Sequence, residues 1–130
     1  MTGILNQHVK ETGIERNRII IAGFSQGGAM SLALAALSDY KYSAFLVMSG
    51  YLPLHNEIAD MLRPLNLHSK ILMCHGTRDE VVQFNWGKES YNELKNLGFD
   101  DVDFKEFDVG HGTNDDEVEY VVEWLKKVTS

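Results

Sequence analysis

Four short apolar runs recur along the chain, each ended by glycine or a small polar residue. Ile19-Ile20-Ile21 is bounded by Gly23, Ala44-Phe45-Leu46-Val47-Met48 by Ser49-Gly50, and Lys70-Ile71-Leu72-Met73-Cys74 by His75-Gly76. Runs of this length, rich in branched side chains, predict strands buried on both faces. The fourth, Val102 to Phe107, sets Val102, Phe104 and Glu106 against Asp103, Lys105 and Phe107, which predicts a strand nearer the sheet edge.

Helical spacing fills the intervals. Ala29 to Leu37 is apolar on nearly every face and predicts a buried helix. Phe84 to Leu97 puts Tyr91, Leu94 and Leu97 on one side, with Gly98 as terminator. Asn114 and Glu117 have the spacing of a capping box, and Asp115, Asp116 and Glu117 suit the positive end of a helix dipole. The helix they open carries Val118, Val121, Val122, Leu125 and Val128 as its expected buried stripe and closes with Lys126-Lys127. Ile4 to Thr12 predicts a short amphipathic helix stopped by Gly13, and Ser38 to Tyr42 a polar connection. Strands alternating with helices predict an α/β fold, a parallel sheet with helices on both faces, in one domain over residues 1–130. Ligands of such sheets bind beyond the carboxyl ends of the strands, so polar residues there are the first candidates.

The first such end is Gly23-Phe24-Ser25-Gln26-Gly27-Gly28, between the first strand and its helix. G-x-S-x-G at a strand-to-helix turn is the pattern of a nucleophile elbow. A turn this tight strains the serine backbone, and side chains two residues to either side are expected to collide, hence the glycines. It also presents the hydroxyl at a helix N-terminus, with the Gln26 N–H free to bond a developing oxyanion. A serine hydroxyl needs a base, and the base an orienting carboxylate. His8, His55, His68, His75 and His111 are available; His111, flanked by glycines in Val109-Gly110-His111-Gly112 after the fourth strand, can swing over a sheet edge. Asp79, in the loop after the third strand, is the candidate acid, with Glu80 and Asp108 as competitors. Asp79 could instead be a turn aspartate that caps the following helix. The order serine, acid, histidine is that of the α/β-hydrolase fold.

Gly23-Phe24-Ser25-Gln26-Gly27-Gly28-Ala29-Met30, Ser49-Gly50-Tyr51-Leu52-Pro53-Leu54, His75-Gly76-Thr77-Arg78-Asp79-Glu80-Val81-Val82 and Gly110-His111 together resemble the acyl-protein thioesterase/lysophospholipase family, close to carboxylesterases of the same type. The resemblance runs over nearly the whole chain. It implies Ser25 as nucleophile, Asp79 as orienting acid and His111 as base, acting on acyl thioesters or oxygen esters, with acylated proteins or small acyl esters as substrates and no cofactor or metal. Gln83 stands where the family often has proline, and Gly112 follows His111 where serine is frequent; both bear on acyl-chain preference. Leu52-Pro53-Leu54, Ile58, Met61, Leu62 and Leu65 are expected to wall the acyl site or to pack a helix on the sheet, and Phe84 and Trp86 share that ambiguity.

The resemblance also implies strands ahead of the elbow and an early loop that supplies a second oxyanion donor. Only residues 1–24 precede Ser25, so the reading is a hydrolase fold lacking its N-terminal strands: a truncated chain, a mis-set start or a fragment. The strand at Ile19 to Phe24 would then have a bare apolar edge open to self-association.

Charge narrows the partners. A net charge of −7 without a basic cluster argues against nucleic acid and anionic membranes. No apolar stretch approaches the ~20 residues of a membrane span, and no signal-peptide pattern is visible. The single Cys74 excludes an internal disulfide and suits a reducing compartment, so a cytoplasmic setting is expected. The acidic residues between Asp100 and Glu123 are read as a solvated face plus helix capping. Two rivals remain. One is a nucleotide-binding module, against which stand the G-x-x-x-G-G spacing and the lack of an acidic residue ending the strand at Met48 to Gly50. The other is a catalytically impaired fragment that acts by pairing its strand edge.

Overall fold

The computed structural model describes residues 19–53 and 55–129; the helix expected over Ile4 to Thr12, together with His8 and Leu54, lies outside them. Four strands, β1 (Ile20–Phe24), β2 (Ala44–Met48), β3 (Lys70–Gly76) and β4 (Val102–Phe107), form one sheet in the order β1-β2-β3-β4. All three pairings are parallel, with Ala22 beside Leu46, Leu46 beside Leu72 and Met73 beside Phe104. Helix α1 (Gln26–Leu37) follows β1, α2 (His55–Met61) and a 3₁₀ turn (Pro64–Asn66) follow β2, α3 (Phe84–Asn96) follows β3, and α4 (Asp115–Thr129) follows β4. The expected α/β architecture is present, with helices on both faces and β4 at one edge.

The two faces follow from the side-chain period of two along each strand. Ile21, Phe45, Val47, Ile71 and Met73 point to one face and pack with Leu32, Leu34, Ala35 and Ala36 of α1, Ile58 of α2 and Leu94 of α3. Leu46, Leu72 and Cys74 point to the other and meet Val121 of α4, flanked by Tyr120, Trp124 and Leu125. Tyr42, expected in a polar connection, is fully buried in the first core. Asn66 makes that possible. Its side chain accepts from the Tyr42 amide and donates to the Tyr40 carbonyl, both at 2.9 Å, so this irregular backbone enters the core with its polar groups paired.

Helix α4 departs from its expected stripe. Val121 is buried, but Val118 and Val122 are 48% and 43% exposed. The reason is rotational: Tyr120 packs edge-on to Phe107 of β4, 6.1 Å between ring centroids, which turns α4 toward that edge. Ala22 and Phe24 of β1, on the sheet face that bears Leu46 and Leu72, are also exposed. The capping box is half formed. The Glu117 amide donates to Asn114 Oδ1 at 2.9 Å, but the Glu117 carboxyl is fully buried with no hydrogen-bond partner among the described residues. Glu117 therefore does not belong to the solvated acidic face, and burial raises its pKa above the ordinary glutamate value.

Candidate active site

Ser25 occupies the single-residue turn between β1 and α1 with φ at 57°, a left-handed conformation that a non-glycine residue adopts at a cost. Its amide is fixed by the Met48 carbonyl at 2.8 Å, which ties the turn to the end of β2. A Cβ on Gly23 would lie 2.2 Å from the Gly27 carbonyl oxygen, so glycine is required there. On the other side the expected collision falls one residue late. A Cβ on Gly27 would meet nothing within 4 Å, whereas one on Gly28 would press on Val47 Cγ1 at 3.1 Å and Gly50 Cα at 3.2 Å. The close approach is thus between α1 and the turn after β2.

Asp79 lies in the loop after β3 with its carboxyl fully buried. Oδ1 accepts the amides of Val81 and Val82, both at 2.9 Å, and Oδ2 lies 2.7 Å from His111 Nδ1. Turn capping and histidine orientation are therefore done by different oxygens of one carboxylate. The competitors are elsewhere: Asp108 binds Arg78 at 2.8 Å on the surface, and Glu80 is exposed.

His111 follows β4, with two strands between it and β1, and its loop must cross the rim. Gly76 lets it pass, since a Cβ there would lie 2.2 Å from the Val109 carbonyl oxygen. Backbone bonds from the Thr77 amide to Phe107 and from the Arg78 amide to Val109 bind the two loops together. His111 Nε2 then lies 3.0 Å from Ser25 Oγ, and the ring rests 4.9 Å from that of Phe24. A carboxylate only accepts, so the Nδ1 proton faces Asp79 and Nε2 is left to accept the serine proton. Gln26 is the first residue of α1, where a helical N–H has no partner four residues back.

Of the other histidines, His68 binds Asp100 at 2.6 Å on the surface, and His75 is buried beneath Asp79. The apolar wall is smaller than expected. Ile58 and Leu62 pack into the first core, while Met61 and Leu65 are 51% and 46% exposed. A cavity of about 260 Å³ lined by Tyr51, Leu52, Trp86, Glu89 and Ser90 takes their place. Cys74 is no alternative nucleophile: burial, with the Glu117 carboxyl adding to it and Lys105 opposing, pushes its thiol up to about 12. Among the described residues there is no cluster of three or more His, Cys, Asp or Glu side chains able to hold a metal ion, and no helix long and apolar enough to cross a membrane.

The chain has relatives. Acyl-protein thioesterase 1 of Candida albicans is 37% identical over 129 residues, and lysophospholipase-like protein 1 of Mus musculus 32% over 126; each alignment covers 96% of this chain. The chain spans about half the length of these curated relatives, 55% and 52% respectively. Among solved structures, Arabidopsis thaliana SOBER1 superposes with a TM-score of 0.89 at 30% identity, over 98% of this chain and 60% of that one. A Bacillus cereus carboxylesterase, at 22% identity and a TM-score of 0.81, shares the fold. The family described as phospholipase/carboxylesterase matches residues 1–129, and the chain belongs to that family of α/β-hydrolases.

Proposed function

We propose that the chain carries the reaction centre of a serine hydrolase that cleaves acyl thioesters or oxygen esters. The observation that supports this most is the relay from Ser25 Oγ to His111 Nε2 at 3.0 Å and from His111 Nδ1 to Asp79 Oδ2 at 2.7 Å. As Ser25 Oγ bonds to the acyl carbon, its proton passes to His111 Nε2, and the carbonyl electron pair moves to oxygen beside the Gln26 N–H. Collapse restores the carbonyl and expels the alcohol or thiol, which takes the proton from His111. Water then attacks the acyl-serine, giving its proton to His111, and the serine leaves with that proton as the acid is released. Asp79 holds the imidazole in the Nδ1–H tautomer and stabilises its charged form.

The substrate class follows from the family and from the groove between Tyr51, Leu52 and Trp86, which suits an acyl chain on a protein or a small carrier. Cys74, the sequence's one cysteine, is a buried free thiol, in keeping with a cytoplasmic setting. A fluorophosphonate probe tests the assignment itself. It should modify Ser25 and leave Ser25→Ala untouched, whereas modification elsewhere, or none, would overturn the reading.

A further inference from the structure

His75, the penultimate residue of β3, is fully buried directly beneath the proposed acid. Phe84 stands edge-on to its ring at 6.0 Å, and Phe104 stacks on it at 6.4 Å. Gly87 of α3 closes the third side so tightly that a Cβ there would lie 2.4 Å from Nδ1. Nδ1 has no hydrogen-bond partner among the described residues. Nε2 faces two acceptors, the Val82 carbonyl at 2.7 Å and Asp79 Oδ2 at 3.5 Å. A carbonyl cannot donate, so Nε2 carries the ring proton. A second proton on Nδ1 would place a cation in an apolar cage with nothing to accept from it. His75 is therefore a neutral Nε2–H imidazole.

Val82 closes the circuit: its amide donates to Asp79 Oδ1 while its carbonyl accepts from His75. We propose that His75 is a positioning residue for the acid of this site. Its N–H pins the 79–82 turn from below through Val82 and turns the positive end of a dipole toward the same Asp79 oxygen that orients His111. This rests on the triad reading above and assigns a task to a second histidine. The charged groups around it are Asp79 on its own loop, Lys88 of α3, whose ammonium lies 5.1 Å from the Phe104 ring centroid, and Glu106, its exposed register partner on β4.

The role separates from packing because two variants rank in opposite orders. His75→Gln keeps an N–H near the Nε2 position but sets an amide in an apolar cage. His75→Met fills the cage and removes the donor. If the donor matters, Ser25 phosphonylation in His75→Met slows by about tenfold, because a loosened Asp79 misplaces His111. His75→Gln stays within about threefold of the unmutated chain, even though its melting temperature is the lower of the two. Equal rates in the two variants, or rates that follow melting temperature, would overturn the proposal. Nitrogen-15 NMR of the unmutated chain gives a test that needs no variant: His75 should show the Nε2–H tautomer, and an Nδ1–H form would contradict it. Absence of labelling in the unmutated chain counts instead against Ser25 as nucleophile.

Discussion

On one face of the sheet, three helices close over Ile21, Phe45, Val47, Ile71 and Met73, and the strand side chains there have almost no contact with solvent. On the other, among the described residues, α4 covers Leu46, Leu72 and Cys74, and Ala22, Phe24, Val118 and Val122 stay exposed. The relay straddles this difference. Ser25 is held by the Met48 carbonyl and the close approach of Gly28 to Gly50, and Asp79 by two amides and the buried ring of His75 beneath it. His111 comes from the far strand and rests on Phe24, which is 44% exposed on the open face. The serine and the carboxylate are thus set by a finished core, and the imidazole by a ring lacking cover on one side.

The largest expected effect lies on the closed face. Phe45→Ala, at a position with no exposure, should lower stability by about 3–5 kcal/mol in urea unfolding, through lost burial and the cavity left behind. A loss below about 1 kcal/mol would mean that this face is no better packed than the other.

Next comes Glu117 under α4. Its raised pKa means that the folded chain holds a proton which the unfolded chain releases at lower pH. Between those two values stability falls as pH rises. Glu117→Gln removes that dependence, so thermal unfolding should show it more stable by roughly 1 kcal/mol near neutral pH, with the gain shrinking as pH drops into the ordinary carboxyl range. A gain that grows on acidification would contradict the sign.

Phe24→Ala should cost under about 1 kcal/mol because the ring is only half buried, yet slow phosphonylation of Ser25 severalfold by loosening His111. Unchanged labelling would show that the loop alone sets the imidazole. Smallest is Val122→Ser on the open flank, expected within about 0.5 kcal/mol of the unmutated chain. Light scattering should find that it weakens any concentration-dependent association through the β1 side, whereas a clean monomer at tens of micromolar before mutation would remove that expectation.

The strands and helices were legible because β2 and β3, buried on both faces, are continuous apolar runs, β4 alternates, and α3 carries its apolar residues at a spacing of three to four. The convergence of Ser25, Asp79 and His111 was legible because this fold brings the carboxyl ends of its strands to one rim, which leaves few polar positions to choose from. What escaped the pattern depends on tertiary neighbours. Nothing local marks Gly28 over Gly27, since the obstacle is Val47 on another strand. The rotation of α4 comes from Phe107, and the burial of Tyr42 from Asn66, 24 residues further on. His75 looked like a strand terminator until Phe84, Gly87 and Phe104 enclosed it.

Everything turns on whether His111 removes the proton of Ser25, and the rate of phosphonylation with and without that imidazole measures it directly. His111→Gln should label Ser25 about 10² to 10⁴ times more slowly than the unmutated chain. Undiminished labelling of His111→Gln would contradict the account.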